Sequence, residues 1–377
     1  MKRKTALISA CIALAGTILL SSSALYGNDP KPTTIGKYGY FFVGGQYYVP
    51  AGSTQHYMAD QLYVEYFLPA KPSQKYPVVM IHGGNQTGTN YTSTPDGREG
   101  WAQYFVSQGY AVYVVDQVGR GRSVYQTNVY GPTEESSAEG VAETFTAPQL
   151  YNQYPQAKYH TQWPGTGLPG DPIFDQFYAS QVFSMASWAE AEAVNKPSLI
   201  ALLEQIGPAY VLGHSQSGIW GVMLADARPD LVRGVIAVEP AGGPVVGYTP
   251  GGYPYGLTFG PLNYAPALKS PSDLHFVQQT APDAPNLARC WIQASPVHVL
   301  PNLRHTPILV VGAQASFLTP TDGCWSKYLT QAGVPNTYLY LPNIGINGNG
   351  HTMMLEKNNL QIAAAFTQWL SDIQHKY

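Results

Sequence analysis

"VLGHSQSGIW", residues 211–220, is the stretch on which the reading of this chain turns. Apolar and small residues run straight into Ser215, and "SGIWGVML" opens a helix directly behind it. In so sharp a strand-to-helix turn the central residue is held in strained geometry with its side chain outward. The residues two before and two after it must be small, because the backbone folds back on itself. Ser215 has Gly213 before it and Ser217 after it, whereas Ser217 as the central residue would have bulky Ile219 in the second small position. The turn therefore selects Ser215 as a nucleophile, with Ser217 standing where glycine is usual.

Working outward, "YPVVMIHGG", "AVYVVDQVGRG", "AYVLG", "GVIAVEP", "PILVVG" and "NTYLYLP" are apolar runs of strand length. Helical patterns lie between several of them, among them "GWAQYFVSQGY", "SGIWGVMLADARP" and "DGCWSKYLTQAG", and "NNLQIAAAFTQWLSDI" closes the chain. Alternating strands and helices imply an α/β fold with a mostly parallel sheet covered on both faces. "YFFVGGQYYV" predicts a hairpin about Gly44-Gly45, since glycine tolerates positive φ at both central positions. "QVFSMASWAEAEAV" and "KPSLIALLEQIG" predict two successive helices. Residues 123–195 and 241–300 are rich in Tyr, Gly and Pro and too long for ordinary connections, so they are expected to cover one end of the sheet.

The chain has 377 residues, enough for one large core, and residues 28–377 are expected to form a single domain. Charged residues make up only 11%, against roughly 25% in typical soluble domains. A net charge of −3 without long like-charge runs gives no reason to expect nucleic acid or an anionic membrane as partner. Lys2, Arg3 and Lys4, an apolar stretch to about Leu20 and the small residues Ser21 to Ala24 have the layout of a secretory signal peptide over residues 1–27. The competing readings are an uncleaved anchor and a lipoprotein box ending at Cys11; all three take the mature protein out of the cytoplasm, to a secreted or periplasmic location. Cys290 and Cys324 then remain, and a pair in an oxidising compartment is expected to form a disulfide. No Cys-x-x-Cys or His-x-x-x-His spacing suggests a metal, and no cofactor is implied.

A serine needs a base. Of nine histidines, His351 follows the last strand in "LPNIGINGNGHTMM", a loop able to bring a side chain back across the sheet, and it places serine before histidine in chain order. His82 and His214 flank glycine turns at strand ends, where an imidazole bonds backbone. For the acid, Glu239 at the end of "GVIAVEP" is presented at the carboxyl edge of a strand. Asp322 is the alternative, though its place in "TPTDGCW" suits a helix N-cap better. An oxyanion site needs backbone N–H donors; Gln216 at the start of the helix supplies one, and "HGGNQTG" the other, from Gly84 or from Asn85. "VGRGRSV" superficially resembles a dinucleotide loop but lacks the third glycine, leaving Arg120 and Arg122 as structural or rim charges.

"HGGNQTG", "TPDGREGW", "YAVYVVDQVGRGRS", "GHSQSGIW", "VEPAG" and "NGHTMMLEKNNLQIA" occur in order from about residue 40 to the C-terminus. Together they resemble the α/β-hydrolase superfamily, and within it secreted or periplasmic bacterial carboxylesterases whose acid is a glutamate. The resemblance implies a Ser215–His351–Glu239 triad, an oxyanion hole from the amides of Gly84 and Gln216, and hydrolysis of a small or polymeric ester through an acyl-enzyme. Where those relatives carry adjacent cysteines in the oxyanion loop, this chain has Gly84-Asn85. Lipase and polyester hydrolase are rival activities on the same triad, and a non-catalytic binding module on a hydrolase scaffold is the rival from another class.

Overall fold

The structure is a computed structural model that describes residues 33–242 and 252–374; the expected signal peptide lies outside the described residues. Eight strands build the central sheet: β1 (Ile35–Tyr48), β2 (Tyr57–Pro69), β3 (Val78–Ile81), β4 (Val112–Asp116), β5 (Ala209–His214), β6 (Val232–Val238), β7 (Ile308–Gly312) and β8 (Asn336–Tyr340). Their order across the sheet is β1-β2-β4-β3-β5-β6-β7-β8. β2 pairs antiparallel with both β1 and β4, and the remaining neighbours are parallel. The chain leaves β3 for β4 on one side and returns to β5 on the other. The loops after β3 and β5 therefore part at their carboxyl ends, where open α/β sheets form their crevice.

Alternate residues of each strand feed two apolar layers, as the two-residue side-chain period requires. Val79 and Ile81 face a layer with α2 (Trp188–Ile206), α3 (Trp220–Ala227) and α4 (Asp322–Gln331). Val78 and Met80 face the opposite layer with α1 (Trp101–Ser107) and α5 (Asn359–Gln374), anchored by Trp101, Phe105 and Phe366. β3, β5 and β7 are buried throughout, which accounts for their unbroken apolar sequences.

Two local expectations are corrected. Gly44 and Gly45 do take positive φ, at 63° and 84°, but inside the continuous strand β1. The chain reverses between β1 and β2 instead, after Tyr48. A Cβ on Gly44 would stand 2.5 Å from Ser198 Oγ, so glycine there admits the close approach of α2. The two helices expected before β5 are one, α2, which is capped by the Ser187 side chain and runs through Pro197. Proline removes one backbone hydrogen bond, and the buried face formed by Ala191, Asn195, Leu199, Leu202 and Leu203 holds the helix together across it.

Cys290 and Cys324 form a disulfide with Cα atoms 5.2 Å apart, tying the segment ahead of β7 to the first turn of α4. Cross-linking residues 34 apart in sequence is worth about 3–4 kcal/mol on a chain-entropy estimate. Cys290→Ala/Cys324→Ala, compared with the oxidised protein in thermal melts, should melt roughly 5–10 °C lower; an unchanged melting temperature would mean the bridge adds nothing to the fold.

Candidate active site

Ser215 sits at the tip of the turn between β5 and α3 with φ 55°, a left-handed conformation that a non-glycine residue adopts only under constraint. The surroundings show the constraint. A Cβ on Gly213 would lie 2.2 Å from the Ser217 carbonyl oxygen, and one on Gly218 would lie 2.6 Å from Pro240 Cα. Ser217 is fully buried, and its hydroxyl donates to the Ile81 carbonyl at 2.8 Å, fastening the turn to the end of β3. Ser215 itself is half-buried, between its enclosed neighbours.

Glu239 ends β6 with φ 44° and no solvent exposure. One carboxylate oxygen accepts the Ala313 amide at 2.7 Å and the other meets His351 Nδ1 at 2.8 Å. That bond orients the His351 ring with Nδ1–H toward the acid, leaving the Nε2 lone pair free. The ring is flanked by Phe145 at 5.5 Å and Phe317 at 4.9 Å between centroids. His214 is its third neighbour, 4.5 Å away ring to ring, and donates from Nε2 to the His351 carbonyl at 2.9 Å. Burial, and then the adjacent His351, hold His214 well below the ordinary imidazole range, so it stays neutral. His214 thus joins the turn bearing Ser215 to the loop bearing His351, while the Ser215 hydroxyl makes no hydrogen bond among the described residues.

Asp322 does not cap α4, as its sequence context suggested; Thr321 occupies the cap position and Asp322 is the first helical residue. Its carboxyl points inward, has no solvent exposure and finds no donor for either oxygen among the described residues. Glu239 is the charged group that acts on it. Burial first, then the Glu239 charge, raise its pKa well above the carboxylate range.

The loop after β3 lies against the turn. A Cβ on Gly83 would meet the Ser215 Cβ at 2.9 Å, whereas the nearest atom to one on Gly84 is Gln216 Oε1 at 4.0 Å. Gly84 makes no hydrogen bond among the described residues, so its amide is available beside open space. Asn85 is not an equal alternative, because its amide donates to Ser184 Oγ at 2.8 Å. Its side-chain Nδ2 donates to the carbonyls of Glu134 and Val182, both at 3.2 Å, so the loop is fixed by residues 123–195 rather than by cysteines. His82, as expected, serves backbone: Nδ1 donates to Gly83 O at 2.8 Å and Nε2 accepts from Gln117 N at 3.0 Å.

Several neighbours were not foreseen. Phe145 belongs to a wide turn, Ala142–Thr146, in a sequence without apolar periodicity. His160 bonds Glu356 at 2.7 Å, and Glu356 also accepts the Gly350 amide at 2.9 Å, so the loop bearing His351 is tied to the 123–195 segment. Arg122 is structural at the rim, paired with Asp116 at 2.8 Å and Glu65 at 3.1 Å. Arg120 is not at the rim: it is 2% exposed and fully enclosed behind the loops.

Residues 78–365 match the model of the Alpha/beta hydrolase family, and the chain belongs to that family. "Probable secreted lipase phiG" from Fungal sp. (strain ATCC 74256) is 42% identical over 364 residues, covering 95% of this chain and 96% of the relative. A bacterial esterase of known structure is 22% identical, with a TM-score of 0.62 over 92% of this chain and 99% of that one, a likeness of fold.

The buried Asp322 proton has a measurable signature. With its folded pKa raised, its contribution to stability is full below the unfolded value of about 3.9 and is lost as pH climbs through the raised value. Asp322→Asn keeps a donor toward Glu239 without titrating. Its unfolding free energy should therefore gain on that of the native protein between pH 4 and 7, by up to about 1.4 kcal/mol per pH unit, seen as a widening gap in melting temperature. Parallel melts giving a constant difference across that range would show Asp322 ionised in the fold.

Proposed function

We propose that this chain is a secreted serine carboxylesterase that works through an acyl-enzyme, with residues 1–27 as its leader and residues 28–377 as one hydrolase domain. Segments 123–195 and 241–300 are its covers. The observation that carries the reading is the 2.8 Å bond between His351 Nδ1 and buried Glu239, formed beside a serine in a strained turn. A carboxylate so enclosed is costly unless paired, and the cation that pairs it best is the imidazolium formed when His351 takes a proton.

In the forward half-reaction Ser215 Oγ bonds to the ester carbonyl carbon while its proton passes to His351 Nε2. The carbonyl electron pair moves to oxygen, where the Gly84 and Gln216 amides receive it. Collapse expels the alcohol, which takes the proton from His351. Water repeats the sequence to release the acid. The Ser215 hydroxyl must swing onto His351 for this, and catalytic hydrogen bonds often tighten only when substrate is bound. Asp322 acts through Glu239, as a neutral donor that keeps the negative charge on the residue bonded to His351.

The lipase reading is favoured by the name of the 42% identical relative, and half-buried Phe145 and Phe317 beside His351 suit an apolar acyl group. Rates across nitrophenyl esters of two to sixteen carbons, with emulsified triglyceride and a polyester film as further substrates, separate the three activities. A short-chain optimum supports the carboxylesterase. A fluorophosphonate should label the native protein and fail to label Ser215→Ala; an unlabelled native chain would instead fit a binding module.

Ser215→Ala should lower turnover roughly a million-fold if the triad acts as a unit. Glu239→Gln should cost about a thousand- to ten-thousand-fold, and Asp322→Asn less than about ten-fold, because the amide still donates. Steady-state kinetics with the reverse order would make Asp322 the acid.

A further inference from the structure

We propose that Arg120 is a positioning residue for the oxyanion site, a buried cation that braces both loops carrying the oxyanion amides and adds its own field to the charge formed there. This rests on the serine-hydrolase reading above and assigns a residue that the triad leaves unused.

Arg120 Nη1 donates to the Gly83 carbonyl at 3.2 Å and Nη2 donates to Gln216 Oε1 at 2.9 Å. The Gly83 carbonyl belongs to the same peptide unit as the Gly84 amide. Peptide planarity fixes that N–H on the side opposite the carbonyl, so holding the oxygen from behind aims the amide forward. His82 Nδ1 donates to the same carbonyl at 2.8 Å. Two donors on one carbonyl polarise the peptide and strengthen the outward N–H as a donor. The second bond reaches the residue that carries the other amide. One planar guanidinium therefore spans the gap between the ends of β3 and β5, a geometry that a lysine ammonium does not reproduce.

The charge is the other half of the argument. Arg120 is 2% exposed, and no carboxylate lies within ion-pair distance of it among the described residues. Glu134, which faces it from the 123–195 segment, acts only at longer range. Burial pulls its pKa down to about 10, so it remains charged at neutral pH. A lone buried cation is a liability in the resting fold, and it becomes complementary only when negative charge appears beside it. That is the behaviour of a group matched to a transition state rather than to a ground state. Gln216 supports this reading: it offers Arg120 a neutral oxygen where a glutamate would have quenched the charge, and its own Nε2 has no partner among the described residues.

The test uses the full chain with a nitrophenyl ester, and phenylboronic acid as an anionic tetrahedral mimic. Arg120→Met should lower kcat about a hundred-fold, comparable with loss of an oxyanion donor. KM should stay within about three-fold, and phenylboronate should bind at least roughly ten-fold more weakly. Arg120→Lys should recover part of the kcat loss. Gln216→Glu would pair the guanidinium in place, so the protein should melt at or above the native temperature while kcat falls at least roughly ten-fold. A Gln216→Glu protein with raised melting temperature and native kcat would overturn the proposal, as would a folded Arg120→Met within about three-fold of native kcat. Should Arg120→Met fail to fold, Gln216→Glu decides. Fluorophosphonate labelling of the native chain separates the two levels: no labelling at Ser215 removes the hydrolase reading itself, whereas labelling with an unaffected Gln216→Glu removes only the role of Arg120.

Discussion

The sheet must hand the chain from β5 to α3 in five residues, and the rest of the site is arranged around that reversal. Nothing but hydrogen fits at Gly213, where the carbonyl of Ser217 presses 2.2 Å from a would-be Cβ, and Pro240 closes the space at Gly218. With those two positions closed to side chains, Ser215 is driven into left-handed backbone and outward from the sheet edge. The same reversal brings the Ser217 hydroxyl onto the end of β3 and the His214 ring onto the His351 carbonyl. Backbone crowding at one turn thus sets the relative placement of three loops that are distant in sequence.

Around the turn, buried polar groups are matched in an order that a strand-by-strand view does not reveal. Glu239 is met by a backbone amide on one oxygen and by an imidazole on the other. Asp322, lacking any donor, is pushed toward its neutral form by burial and then by the Glu239 charge. His82 and His214, enclosed and bonded to main chain, are held neutral, His82 near about 4 by burial and then by the Arg120 charge. Burial thus favours the neutral form at Asp322, His82 and His214 alike.

Much of this was readable in the amino-acid sequence, for identifiable reasons. Strands buried on both faces write themselves as unbroken apolar runs, and the elbow imposes small residues at fixed offsets; hence Ser215, and Glu239 at its strand end, stood out. His351 was reachable through chain order. What escaped depends on side-chain direction across long separations. Asp322 followed by a helix looks like a cap, and only the turn of residues 316–321 sends it inward. Phe145 lies in a wide helical turn whose residues show no periodicity. Gly44-Gly45 was misread because positive φ serves equally to reverse a chain and to let a helix come close. Arg120 reads as a structural or rim charge, since an arginine in a glycine-rich stretch carries no sign of which side chains enclose it.

The attachments of residues 123–195 have a consequence for how substrate gets in. Asn85, in the loop that carries Gly84, is pinned to that segment by five hydrogen bonds, and the loop carrying His351 is pinned to it through His160 and Glu356. A flap that swings aside at an oil–water boundary has to come away without disturbing what lies beneath it. Peeling this segment back would slacken the loops bearing His351 and Gly84 at the same moment, so on the proposed esterase reading exposure of Ser215 and competence for chemistry would exclude one another. On that reading substrate passes the segment instead of displacing it.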